Sequence, residues 1–159
     1  MSHKVSTCLW YDNNAEEAAN FYVSLIPDSR VTAVTRYGEA GPMPKGTALT
    51  VVFQLAGVEY MGLNGGPIFP QSEAASIVVQ CDTQEEIDSL WTALTADGGK
   101  ESQCGWLKDR FGVSWQIVPS RIGEWMTDPD KDAAGRAFGA IMQMGKIDLA
   151  TVEKAFRGE

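Results

Sequence analysis

Apolar and polar positions follow two alternating periods along this chain, and the alternation runs through twice. Val5–Tyr11 is a short β-prone run rich in aromatic and β-branched residues. It stops at the turn cluster Asp12-Asn13-Asn14, where Asn13 followed by Glu16 predicts a capping box with Asn in place of Ser or Thr. Ala18, Phe21, Tyr22 and Leu25 then form one apolar helical stripe, which Pro27 ends. Two β-type runs follow, Arg30–Tyr37 and Thr47–Leu55, around a Gly38–Gly46 loop carrying Pro42 and Pro44. Gly57 turns the chain into a fourth run, Val58–Leu63.

The same order then recurs. Ala75–Cys81 reads as a strand, Thr83 caps a helix with Glu86 at its third position, and Ile87, Leu90, Trp91 and Leu94 repeat the apolar stripe. Gly98-Gly99 closes that helix, and the runs Glu101–Leu107 and Val113–Val118 flank a turn at Asp109–Gly112. Asp12 aligns with Asp82, and Phe21-Tyr22 with Leu90-Trp91. Consecutive β runs after each helix favour a duplicated βαβββ unit over a parallel βαβ sheet. From Asp128 the character changes. One helical stretch contains Phe138, Ile141, Met142 and Gly145, and a second carries Leu149, Val152 and Phe156.

With 159 residues the chain is one ordinary domain, or two small modules, and can bury a core without disulfide or metal staples. A net charge of −8 argues against nucleic acid or an anionic membrane as the partner. No apolar stretch reaches the ~20 residues of a membrane span, and Met1–Val5 lacks the apolar core of a signal peptide. Cys8, Cys81 and Cys104 are odd in number and lack metal-ligand spacing, so a reducing cytoplasm is the expected setting.

Two tandem β-α-β-β-β modules resemble the vicinal oxygen chelate superfamily of glyoxalases, extradiol dioxygenases and bleomycin-resistance proteins. Leu9-Trp10-Tyr11-Asp12, Ala15–Tyr22, Cys104–Pro119 and Met142–Asp148 look like its PhnB-like branch, often labelled 3-demethylubiquinone-9 3-methyltransferase-like. The resemblance implies an α+β fold of two tandem βαβββ modules forming a curved sheet around a cavity, plus a C-terminal helical tail. As one glyoxalase-like domain over 1–159, module one spans 4–66, module two 67–120 and the tail 128–159. A homodimer is implied as well.

Catalytic members of the superfamily hold a divalent metal through His, Gln or Glu on the first and last strands of the modules. Here the first-strand position maps to Val5 or Thr7 and its counterpart to Ala75 or Ser76, none a good ligand. The metal-binding Glu of the last strand maps onto Gln116, and the strand end of module one is Met61-Gly62-Leu63 with Asn64 beyond. His3, the single histidine, is near the terminus. No cofactor is therefore expected. Ser114, Gln116 and Val118 share a strand face. Gln116 is read either as a neutral hydrogen-bonding group in a mainly apolar pocket or as a buried amide paired with a neighbour. Trp115 and Ile117 are assigned to the core.

Trp106 is a pocket wall or a cover of the core, and Trp10, Phe53 and Tyr60 are candidate aromatic walls against a default of core packing. The ligand-binding candidates are thus Gln116, Trp106, Ser114, Thr7, Trp10, Phe53 and Asn64, with no catalytic residue nominated. Cys104 lacks a histidine to lower its pKa and reads as a small hydrophobe. Lys108-Asp109-Arg110 reads as a charged, exposed hairpin turn. The function expected is binding of a small apolar or aromatic molecule. Its rivals are a metal-dependent lyase or dioxygenase and a methyltransferase acting on a quinone precursor. Against the last, the first strand–helix junction Asp12-Asn13-Asn14-Ala15 has no glycine, and Gly62–Pro67 is followed by prolines.

Overall fold

The computed structural model describes residues 4–159, so His3 lies outside the described residues. The chain divides into two compact units, residues 1–71 and 72–159. Each repeats the order strand, helix, three strands.

In the first unit, β1 (Thr7–Tyr11) leads to α1 (Ala15–Leu25), then β2 (Arg30–Arg36), β3 (Ala48–Leu55) and β4 (Val58–Asn64). The sheet order is β1-β4-β3-β2, with β1 parallel to β4 and the other pairs antiparallel. The expected capping box at Asn13 and Glu16 does not form. Asn13 has φ 62° and Asn14 is the N-cap without a side-chain bond. The end of α1 is instead satisfied from far along the chain, where buried Asn64 accepts from Ala15 N–H at 2.9 Å. The same amide donates to Ala48 O at 3.0 Å, which ties the helix start to β3. Tyr22 of α1 packs at 6.1 Å against Phe53, and its hydroxyl lies 3.4 Å from that of Tyr11. Those contacts identify the side of the sheet that α1 covers.

In the second unit, β5 (Ser76–Cys81) precedes α2 (Gln84–Thr95), which is followed by a single 3₁₀ turn, β6 (Lys100–Glu101), β7 (Trp106–Lys108) and β8 (Ser114–Pro119). The order β5-β8-β7-β6 matches the first unit, again with its outer parallel pair formed by first and last strands. The predicted Thr83–Glu86 capping box is present, and Ile87, Leu90, Trp91 and Leu94 are all buried. The run Glu101–Leu107 is broken in two. Cys104 and Gly105 both take left-handed conformations, and a Cβ at Gly105 would sit 2.7 Å from Ile117 O.

The tail belongs to this second unit. An unpredicted short helix, α3 (Ile122–Thr127), precedes α4 (Lys131–Ile141) and α5 (Leu149–Arg157). Trp125, Ala137, Ile141, Ile147 and Val152 form a second core with Val118 of β8. The stripe expected through Phe138 and Met142 is corrected, since both are largely exposed. The buried face of α4 is Ala133, Ala134, Ala137 and Ile141, whose small side chains permit close helix packing. Cys104 N–H donates to Met144 O and Gly105 N–H to Gly145 O, both at 2.8 Å. Among the described residues, no helix is long and apolar enough to cross a membrane.

Candidate functional site

The two faces of each sheet follow from register and strand alternation. In the second unit, Trp91 Nε1 of α2 donates to Glu101 at 2.7 Å, and Glu101, Leu107 and Trp115 stand opposite one another across β6, β7 and β8. That is the helix-covered face, and Trp115 and Ile117 are fully buried there as expected. The opposite face carries Ser76 and Val78 on β5, Ser114, Gln116 and Val118 on β8, and Trp106 and Lys108 on β7. The tail core occupies its Val118 end.

Four polar side chains remain beside Trp106 on this face. Gln116 is half-buried, and its Nε2 donates to Ser76 Oγ at 2.9 Å. Ser114 is 1% exposed, and its hydroxyl is the buried side-chain polar atom without a partner among the described residues. Lys108, directly opposite Ser114, pairs with Glu73 at 2.7 Å. That hydrogen bond holds the Glu73 carboxyl below its usual range. At this edge lies an open cavity of about 510 Å³, lined by Glu73, Lys100, Ser102, Trp106, Leu107 and Lys108 among others. Lys100 and Glu73 carried no signal in the sequence, because their proximity to Trp106 depends on the β6–β7 pairing and on the loop before β5.

In the first unit the candidates fall on both sides. Thr7, Tyr11, Phe53 and Asn64 share the face that α1 covers. Phe53 is fully buried between Tyr22 and Tyr60, stacking on the latter at 5.5 Å, so it packs the core and is no cavity wall. Asn64 uses its amide oxygen and nitrogen within the framework, and Thr7 is exposed at the start of β1. Trp10 alone of these lies on the opposite face. Its Nε1 donates to Gly66 O at 2.8 Å, its ring meets Phe69 edge-on at 4.9 Å, and Gln71 Nε2 donates to its carbonyl. A Cβ at Gly65 would lie 2.1 Å from the Trp10 ring, so this close approach requires glycine. Trp10 therefore anchors the 65–71 segment.

The Lys108-Asp109-Arg110 turn is corrected too. Asp109 is buried, and it accepts from Phe111 N–H, Val113 N–H and Trp115 Nε1 at 2.8–3.0 Å. The carboxylate shapes the hairpin from inside.

A model of the family described as 3-demethylubiquinone-9 3-methyltransferase matches residues 3–118. The chain belongs to this family. It is 36% identical to the PhnB protein of Bacillus cereus, which carries the same methyltransferase description, with TM-score 0.68 over 74% of this chain and 100% of that one. A Pseudomonas aeruginosa protein shares the fold at 22% identity and TM-score 0.60, over 74% and 98% of the two chains. So does the fosfomycin resistance protein FosX of Listeria monocytogenes, at 12% identity and TM-score 0.56, over 80% and 99%. That FosX is a glutamate-to-glutamine mutant complexed with Mn(II) and a dihydroxypropylphosphonic acid. No curated protein matches the chain. The chain thus has the fold of the PhnB protein.

The resemblance places the metal positions of the second module at Ala75 or Ser76 and at Gln116, of which the structure puts Ser76 on β5 and Gln116 on β8. Both are neutral, and each is already the other's hydrogen-bond partner. Of the ligand types the resemblance implies, His, Gln and Glu, only the glutamine is present here, and a single amide oxygen brings no charge to hold a divalent cation. Among the described residues no group of three or more His, Cys, Asp or Glu side chains is placed to hold a metal. The donor set does not fit such a cation. Burial, with Glu86 and Asp82 nearby, pushes the Cys81 thiol up to about 11, and burial raises Cys8 as well.

Proposed function

We propose that this chain binds a small, largely apolar or aromatic molecule on the face of its second sheet opposite α2, beyond the Val118 end that the tail helices cover, without a metal. The observation that carries the reading is the half-buried Ser76–Gln116 pair, set in register beside Trp106 and adjoining the cavity at the sheet edge. An indole ring offers a flat apolar wall, and a neutral amide orients a polar group of the ligand without needing a counter-charge. The ligand-contacting residues in this reading are Gln116, Ser76 and Trp106, while Ser114 lies buried beneath them. Trp10 lies on the helix-free face of the other unit and stays a candidate wall.

Catalysis by these groups alone would consist of orienting and hydrogen-bonding a substrate, since Gln, Ser and Trp do not titrate near neutral pH. The family description favours a second reading, transfer of a methyl group to a quinone precursor. It requires the chain to bind S-adenosylmethionine. A cytoplasmic setting is in keeping with three free cysteines, and a homodimer with the superfamily build. Light scattering is expected to give a two-chain mass.

The test is thermal shift on chelator-treated protein with indole, benzamide, S-adenosylmethionine and Mn²⁺, using wild type and Gln116→Leu. Stabilisation by the neutral aromatic probes, weakened in the variant, is expected. Stabilisation by S-adenosylmethionine or Mn²⁺ alone would overturn the reading.

A further inference from the structure

The sheet edge next to the Ser76–Gln116 pair has an arrangement that a neutral ligand does not explain. Lys100 and Lys108 stand directly opposite each other across the antiparallel β6–β7 pair. Like charges in that relation destabilise a sheet. Two carboxylates line the same cavity, and neither cancels the pair fully. Glu101 is turned to the α2 side, where Trp91 Nε1 donates to it at 2.7 Å. Glu73 does meet Lys108 at 2.7 Å, but it comes from the loop before β5 and its side chain is 66% exposed, so solvent competes for it. Trp106, two residues before Lys108 on the same strand face, supplies a flat apolar surface.

We infer that the ligand of this face is an organic anion with a flat apolar body: its carboxylate replaces Glu73 at Lys108, between the two lysines, while its body lies on Trp106. The inference rests on the binding reading above and adds the ligand's charge to it. In the free protein Glu73 occupies the place of the ligand's carboxylate. Binding therefore exchanges one ion pair for another, with Glu73 released to solvent.

The experiment is an NMR-detected titration with three matched probes, benzoate, benzamide and benzylamine, plus inorganic phosphate as a simple anion. Wild type, Glu73→Gln, Lys108→Met and Lys100→Met are compared. Benzoate is expected to bind at least about tenfold more tightly than benzamide, and benzylamine more weakly than either. Glu73→Gln is expected to raise benzoate affinity about threefold, because its competitor at Lys108 is gone, while leaving benzamide unchanged. A gain of affinity cannot come from misfolding, so this variant protects the test if Lys108→Met fails to fold. Each lysine variant is expected to remove most of the benzoate preference.

Equal affinity for benzoate and benzamide would overturn the anion inference and leave the binding reading standing. Failure of both to bind would overturn both. Phosphate binding as tight as benzoate would also overturn the inference, since the apolar body would then contribute nothing.

Discussion

Replacing Asn64 by alanine is the sharpest test of how the first unit is built. The side chain is 7% exposed, and its two hydrogen bonds, 2.9 Å from Ala15 N–H and 3.0 Å to Ala48 O, join the start of α1 to β3. Alanine at this position removes both and leaves a buried donor and a buried acceptor. Each orphaned group costs about 1–3 kcal/mol, so the expected loss is about 2–6 kcal/mol. Domains of this size are stable by only about 5–15 kcal/mol. At about 2–4 °C per kcal/mol, the melting temperature should fall by at least about 4 °C. Circular dichroism during heating and urea titration measures it. Asn64→Asp provides a control. The carboxylate can still accept from Ala15 N–H, but it sets an oxygen against Ala48 O, so it too should destabilise. A melting temperature within about 1 °C of wild type for Asn64→Ala would refute the reasoning. A selective loss of ligand binding with unchanged stability would return Asn64 to the ligand-contacting set.

Three further outcomes are expected. Asp109→Ala strips the acceptor from three donors in the β7–β8 hairpin and should cost at least about 3 kcal/mol, read as a lowered urea midpoint. Iodoacetamide at pH 8 should leave Cys81 unmodified in peptide mass mapping of the native protein. With its pKa at about 11, only about a thousandth of it is thiolate there, whereas Cys8 is exposed to the reagent and should be labelled. Asp148 accepts from Thr151 N–H at 2.7 Å as the N-cap of α5, and that bond holds its carboxyl below the usual range. Asp148→Ala should cost about 1 kcal/mol near neutral pH. Because the folded value is depressed, this stabilisation is present above the unfolded carboxylate value and fades as pH falls through the folded one. Wild type and variant should therefore converge in acid melts.

What was legible in the sequence was what depends on near neighbours. The Thr83–Glu86 cap and the Ile87–Leu94 stripe are local, and both form as expected. The duplicated strand–helix–strand order was equally open to view, because each module repeats its own turn residues. The start of α1 was misread because its partner, Asn64, is 49 residues away. Strand parity placed Val5 and Thr7 on one face, but only the Tyr11–Tyr22 and Phe53–Tyr22 contacts reveal that α1 covers it. Asp109 looked like a solvated turn charge. An Asp three residues before Gly112, at a predicted turn, was nevertheless a readable sign of a side chain folding back on its own backbone. In the tail, the stripe through Phe138 and Met142 rests on hydrophobicity alone, whereas packing against α5 rewards the small side chains of Ala133, Ala134 and Ala137. At the candidate site, Gln116, Ser114 and Trp106 are brought together, while Lys100 and Glu73 depended on strand pairing that no local pattern encodes.

The central claim is that Ser76 and Gln116 form a neutral, metal-free binding face, and elemental analysis tests it most directly. Protein purified without a metal-affinity tag would be measured as isolated and again after exposure to Zn²⁺, Ni²⁺, Mn²⁺ and Fe²⁺ with the excess removed. Substoichiometric metal throughout, unchanged in Gln116→Leu, is the result expected. About one metal per chain, lost in Gln116→Leu, would contradict the claim and make Gln116 a coordinating residue.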